Sequence, residues 1–288
     1  MLPTLPPELI HQILSHITPP LLQFKIATAL RYPSIHRLCI PQIPSASIDN
    51  AAARGCLSLL EWWHGNADRL SLIYTYQALD EASRNGHIHV LRWWKQSGLA
   101  VIFSSEAVDG ASENGHVDVL EWWASESGLE LSFTSRAIDF ASDNGYTKVL
   151  DWWNSSGLAL EWTVMAIDCA SASGNLAMLD WWKGSGLETK FSINVMDRAS
   201  ARGDIEVLEW WRNSGLPISW SEDAMDEASV AGRIDVLDWW LKSGLESLRF
   251  SDIAFESAGV EVMMWWAATQ GGVARAPSPP PGTNSRVI

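Results

Sequence analysis

The sequence predicts an all-α chain, a helix-hairpin solenoid of about eight repeats preceded by a small helical segment, and three regularities carry the prediction. Of 18 tryptophans in 288 residues, sixteen form eight Trp-Trp pairs beginning at Trp62, Trp93, Trp122, Trp152, Trp181, Trp210, Trp239 and Trp265. Successive pairs lie 31, 29, 30, 29, 29, 29 and 26 residues apart, the kind of period that marks stacked supersecondary units. Thirteen residues before each of the first seven pairs stands an aspartate: Asp49, Asp80, Asp109, Asp139, Asp168, Asp197 or Asp226. A glycine follows six residues after each (Gly55 to Gly232), and a second glycine within Ser-Gly-Leu closes most units.

Each unit reads as two short helices. Thr75, Ser104, Thr134, Thr163, Ser192, Ser221 and Ser251 open the first, because a hydroxyl there can accept one of the free N–H groups of a first turn. The residue before each is aromatic (Tyr74, Phe103, Phe133, Trp162, Phe191, Trp220, Phe250), and an apolar residue such as Leu79 stands five positions on, the spacing of a hydrophobic staple. The first glycine ends helix one, since glycine accepts the left-handed conformation past a helix end. Helix two carries Val90, Leu91 and Trp94, or their equivalents, on one face that must be buried. The glycine of Ser-Gly-Leu stops it.

The ends depart from the repeat. Residues 246–268 form a shortened eighth unit in which Glu256 takes the aspartate's place, as expected of a terminal repeat with one neighbour. Residues 269–288 contain Pro277-Ser278-Pro279-Pro280-Pro281 and are expected to be a disordered Pro-rich tail. In residues 1–44, Leu5-Pro6-Pro7-Glu8-Leu9-Ile10 with Ile13, Leu14 and Ile17 makes a Pro-started amphipathic helix, broken at Pro19 and Pro20 and followed by a second over 21–31. That segment is expected to seal the first repeat.

The repeats over about residues 45–268 resemble the ankyrin repeat family. Ala107-Val108-Asp109-Gly110-Ala111-Ser112-Glu113-Asn114-Gly115-His116 lies over the family's T-P-L-H-x-A-A-x-x-G-H, Val119-Leu120 and Trp122-Trp123 over its apolar second helix, and Gly128-Leu129 over its closing G-A. Asp stands for the family's His, Trp-Trp for aliphatics, and the stretch before the next helix is about four residues shorter, so shortened fingers are expected. The resemblance implies a non-enzymatic module that binds a protein or peptide in a concave groove. Residues 1–44 more weakly resemble an F-box, through Leu5, Pro6, Glu8, Leu9, Ile10, Ile13 and Leu14. That second resemblance implies a Skp-family adaptor as partner and a role as substrate receptor of an SCF-type ubiquitin ligase. The alternative is a plain scaffold whose N-terminal helices only cap it.

Composition narrows the function classes. With 47% hydrophobic and 19% charged residues the chain is globular. No apolar run approaches the ~20 residues of a membrane helix, and Cys39, Cys56 and Cys169 are too scattered for a disulfide framework. An intracellular location, cytoplasmic or nuclear, and a monomer are expected. A formal charge of −14 argues against nucleic acid. No P-loop, dinucleotide, nucleophile-elbow or zinc-protease motif occurs, so no catalysis, cofactor or metal is expected. His87 and His89, two apart, are expected on different sides of a helix with no metal-binding partner.

Two features have both a structural and a binding reading. The seven aspartates either brace neighbouring helix starts by accepting N–H bonds, or line a groove for a basic ligand. The second Trp of each pair reads as core, whereas the first lies partly on the outer surface and could offer its ring to a partner. Residues 45–266 hold 33 acidic and 15 basic residues, −18, enough to steer a basic segment. Positions that vary between repeats cluster at the first turn of helix one, just before its glycine, and after the aspartate. Glu81, Glu106, Glu113, Arg136, Phe140, Asp143, Val164, Met165, Asn194 and Arg198 are therefore the candidate groove residues. Phe140, Val164 and Met165 are its apolar members, the kind that anchor a partner.

Overall fold

The structure, a computed structural model, describes residues 48–65, 73–245 and 248–269. The N-terminal segment with its F-box-like residues, and the Pro-rich tail, lie outside the described residues. The chain divides into two compact units between Phe133 and Thr134.

In the first unit the helices are α1 (Ile48–Ala53), α2 (Leu57–His64), α3 (Gln77–Arg84), α4 (Ile88–Ser97), α5 (Glu106–Glu113) and α6 (Val117–Glu121), which runs on into a π-helical turn over Trp122–Glu126. In the second they are α7 (Arg136–Asp143), α8 (Thr147–Ser155), α9 (Met165–Ala172), α10 (Leu176–Gly184), α11 (Asn194–Arg202), α12 (Ile205–Ser214), α13 (Asp223–Val230), α14 (Ile234–Lys242), α15 (Ile253–Glu256) and α16 (Val260–Thr269). The described residues hold helices and turns and no strand, as the shortened fingers require. Odd-numbered helices are the first of each hairpin, and successive ones pack on each other: α1, α3 and α5 in one unit, α7 through α15 in the other. Each unit is thus a stack of helix hairpins.

Residue size explains the layering. Helix one buries Ala and Ser at its contact face (Ala78, Ala82 and Ser83; Ala137, Ala141 and Ser142), and such small side chains let neighbouring helices approach closely. Helix two buries Val, Leu and the second Trp, as in Val90, Leu91 and Trp94 or Val149, Leu150 and Trp153. Every second Trp from Trp94 to Trp266 is essentially inaccessible. The aromatic residue before each cap lies on that indole: Phe103 on Trp123 at 4.5 Å between centroids, Phe191 on Trp211 at 4.7 Å, Trp220 on Trp240 at 5.2 Å.

The glycines turn the chain as their positions predict. Gly86 has φ of +72°, its N–H reaches the Ser83 carbonyl at 3.1 Å, and the next N–H, of His87, reaches back to Ala82 at 2.8 Å. This double closure caps the free carbonyls of α3. A Cβ at Gly86 would also lie 2.7 Å from the His116 ring. At the second turn the serine of Ser-Gly-Leu does the capping: the Ser97 hydroxyl donates to the Trp94 carbonyl at 2.7 Å and accepts from Leu99 N–H at 3.2 Å.

One expectation is corrected. His87 precedes the first residue of α4, so helical periodicity does not separate it from His89, and their rings lie 5.6 Å apart. Their Nε2 atoms reach the carbonyls of Ala53 and Gly55, each at 3.1 Å, which makes them braces between hairpins.

Candidate protein-interaction surface

The repeated polar residues hold the stack. Asp80 accepts the Ser104 N–H at 2.9 Å and, through its other oxygen, the Ser104 hydroxyl. Asp139 does the same for Thr163 at 2.9 Å and 2.9 Å, and Asp49, Asp168, Asp197 and Asp226 repeat the arrangement with Thr75, Ser192, Ser221 and Ser251. Each hydroxyl then accepts the first N–H of its own helix, as Thr163 does from Met165 at 3.1 Å. The hydroxyl therefore caps its helix while tying it to the hairpin before. Burial pushes the carboxyls of Asp80, Asp139 and Asp197 above the ordinary aspartate value, with the Ser and Thr bonds pulling the other way. Asp80, Asp109, Asp139, Asp168, Asp197 and Asp226 are buried, so of the two readings of the aspartates the bracing one holds.

The tryptophans form two further ladders. Trp123, Trp182, Trp211, Trp240 and Trp266 donate their indole N–H to Ser83, Ser142, Ser171, Ser200 and Ser229 of the preceding hairpin, at 2.8 to 3.1 Å. The first Trp of a pair lies outward and half-buried at Trp93, Trp152, Trp181, Trp210 and Trp265, and buried at Trp122 and Trp239. In the second unit its N–H meets the acid that precedes the previous pair: Trp181 to Asp151, Trp210 to Asp180, Trp239 to Glu209 and Trp265 to Asp238. The Trp265 bond, with Lys242, holds the Asp238 carboxyl below its ordinary value. Much of the acidity counted in the sequence is therefore bound to indoles and caps.

The remaining variable positions occupy helix one. In the first unit, Glu81, Glu106 and Glu113 converge on Arg84, whose guanidinium bonds Glu113 at 2.5 Å and Glu106 at 2.7 Å and lies 3.9 Å from Glu81. Burial opposes the Arg84 charge, and its bond to Glu113 and the three carboxylates outweigh that, so its pKa rises. Gly110 makes room for it: a Cβ there would lie 3.0 Å from the Arg84 Cβ. The sequence places these glutamates together but does not reveal their common cation.

In the second unit, Arg136, Met165 and Asn194 are the first residues of α7, α9 and α11, and Phe140, Cys169 and Arg198 follow the buried aspartates of the same helices. The Arg136 guanidinium lies 5.2 Å from the Phe140 ring centroid, a cation–π distance. Phe140, Val164, Met165 and Cys169 are half-buried, while Arg136, Asp143, Asn194 and Arg198 are exposed. Burial raises the pKa of the Cys169 thiol, Asp143 adds to the shift, and Arg198 opposes it, so these groups share one electrostatic neighbourhood. Cys169 stands in the same variable column after its aspartate as Phe140 and Arg198. The result is an apolar centre bordered by charges of both signs.

Two shallow recesses lie on the helix-two side. One, of about 460 Å3, is lined by Arg92, Lys95, Gln96, Trp122 and Glu126; the other, of about 380 Å3, by Leu176, Asp180, Trp210 and their neighbours. No group of three metal-ligating side chains occurs among the described residues, and none of their helices is long and apolar enough to cross a membrane.

No protein-family model matches the chain. A stretch of 51 residues, 18% of the chain, is 47% identical to Uncharacterized protein L696 of Acanthamoeba polyphaga mimivirus, of whose length it covers 15%. Among solved structures, the human ASB11 ankyrin repeat domain is similar over 79% of this chain and 99% of its own, at 16% identity and a TM-score of 0.39. By its Ala, Gly and apolar helix-two pattern, and by the hairpin stacks that this pattern builds, the chain is similar to ankyrin repeat proteins.

Proposed function

We propose that the chain is a protein-interaction module that holds a protein or peptide segment across the first helices α7, α9 and α11. The observation that carries this reading is the division between repeated and variable residues. The repeated Asp, Ser, Thr, Trp and Gly satisfy one another inside the stack, whereas the variable positions leave half-buried Phe140, Val164 and Met165 beside exposed Asp143 and Arg198. An apolar centre bordered by charges of both signs suits a macromolecule better than a small substrate, which needs an enclosing pocket. A segment of basic or mixed charge fits the acidic repeats. The extension to an SCF-type receptor rests on the sequence of residues 1–44 alone and is tested by retention of a Skp-family adaptor on the full-length chain.

The kinetics of a captured partner test the surface. Phe140→Ala should speed dissociation by about ten-fold, the loss typical of one anchor. Asp143→Lys should mainly slow association, with the effect shrinking as salt rises. If neither rate changes while Trp152→Ala abolishes binding, the outward Trp face is the site.

A further inference from the structure

Three imidazoles hold the boundary between the first two hairpins. His87 and His89 donate from Nε2 to the Ala53 and Gly55 carbonyls, each at 3.1 Å, and His64 of α2 donates to the Ser97 carbonyl at the far end of α4, at 3.0 Å. The His64 ring also meets Trp93 edge-on, with centroids 5.9 Å apart. A fourth histidine, His116, stands against Gly86 as His87 stands against Gly55. The chain has no histidine after His116, so the second unit is built without one. It carries Tyr146, Asn175, Asp204 and Arg233 at the position of His87, and Lys148, Ala177, Glu206 and Asp235 at that of His89. The repeat therefore does not need imidazole, and one boundary concentrates it.

We propose that this boundary is a pH-sensitive joint: acidification to about pH 5.5 loosens hairpin α1–α2 from hairpin α3–α4, while the stack of the second unit holds. With Nε2 donating to a carbonyl, the incoming proton enters at Nδ1. For His87 that atom would lie 2.9 Å from a Cβ on Gly55, so the new charge arises against backbone rather than in water. It also arises among charges of its own sign. His89 of the same hairpin lies 5.6 Å away between ring centroids, His116 of the next hairpin adds to the repulsion, and Arg54 follows Ala53 in the hairpin before. Asn85, which shares the Ala53 carbonyl at 3.2 Å, is uncharged. The carboxylate at the His89 position of the next hairpin, Asp118, acts on Arg92. Burial first, then His89 and His116, hold the His87 pKa below 6.5 against the pull of the Ala53 carbonyl. The stability contributed by the neutral ring is thus present above 6.5 and is lost as pH falls through the lower folded value. The buried aspartates respond in the opposite sense. Burial holds Asp139 and Asp197 above 3.8, so acid favours their braces and makes the second unit an internal reference.

Hydrogen exchange of the full chain, read by mass spectrometry and corrected for the intrinsic pH dependence of amide exchange, tests the joint. Peptides covering α1 and α2 should open about three-fold more at about pH 5.5 than at about pH 7.5, and those covering α10 and α12 should not. No change in α1 and α2, or an equal change in both units, would overturn the proposal. His87→Asn puts at this position the side chain that caps α10, where Asn175 accepts the Met178 N–H at 3.1 Å, and it should remove most of the pH response. A full response in that variant would overturn the assignment to His87. Should the variant open its first hairpin at both pH values, NMR titration of the His87 ring in the parent chain decides. A midpoint below 6.5 is expected, and one at or above 6.5 overturns the proposal.

Discussion

Asp139 receives the N–H and the hydroxyl of Thr163, and burial holds its carboxyl above the ordinary aspartate value. The folded chain therefore binds that proton more tightly than the unfolded one. The stability this group contributes is present in full below the unfolded value, 3.8, and is lost as pH rises through the higher folded value. Asp139→Asn removes the charge and keeps one acceptor oxygen. Relative to that variant, the parent chain should lose stability as pH rises above the unfolded value, 3.8, measured by urea unfolding at a series of pH values; an opposite slope would refute the burial argument. The tryptophans bear a larger load. Trp153→Ala should cost about 3–5 kcal/mol, the usual loss for a large core ring, whereas exposed Lys183→Ala should stay within about 0.5 kcal/mol, and melting curves of the two variants decide. At this scale the sequence was legible wherever a residue recurred. The buried second Trp followed from register, and register left the aspartate brace as one of two readings; the Ser/Thr hydroxyl bond to each aspartate was seen only with the side chains in place. Arg84 was not legible, because its partners Glu106 and Glu113 belong to the next repeat and only the stacking of α3 on α5 brings them to it.

The π-helical turn after α6 answers a small anomaly of spacing. Three residues separate the second Trp from the closing glycine in the repeats of Trp94, Trp153, Trp182, Trp211 and Trp240, but four separate Trp123 from Gly128. The helix absorbs the extra residue by widening one turn, so that the Ser127 N–H bonds the Trp122 carbonyl at 2.8 Å and Ser127-Gly128-Leu129 stays in register. The widened turn carries Glu126 toward Arg92 of the previous hairpin, where the two pair at 2.8 Å and 3.1 Å. That pair depresses the Glu126 carboxyl and raises Arg92. Deleting Glu126 should restore an α-helical turn and leave the melting temperature within about 3 °C, because exposed ion pairs contribute little; a cooperative loss of the fold would show the insertion to be structural. The 30-residue spacing signalled this element, but nothing in it said whether the extra residue would loop out or widen the helix. The His87–His89 pair was misread for the complementary reason: a helical period was extended one residue beyond the start of the helix.

Within each unit, the Asp–Ser/Thr, Trp–Ser and outer Trp–acid ladders share one direction, while the hydroxyls of Ser142 and Ser171 donate forward to the carbonyls of Ala166 and Val195. The indole of Trp182 donates back to Ser142, the outer indole of Trp181 back to Asp151, and the Thr163 hydroxyl back to Asp139. The hairpin count, the helix order and the shortened fingers were all visible in the period of the sequence. The direction was not, since a register shows which positions recur but not which neighbour each one touches. The candidate surface was legible only as a set of variable columns. Its division into an Arg84-centred ion cluster and the apolar centre around Phe140 required the side chains in place. The common direction has a consequence for how such a chain comes into being. Emerging from the ribosome N-terminus first, each new hairpin presents buried donors to acceptors that have already folded, and the acceptors waiting at the growing edge are carboxylates and hydroxyls that water solvates readily until they are used. Within a unit, synthesis and assembly can therefore proceed in the same order for these three ladders, one hairpin templating the next, whereas the Trp162 indole waits for the Glu188 carbonyl that follows it and the buried Trp220 indole N–H has no hydrogen-bond partner among the described residues.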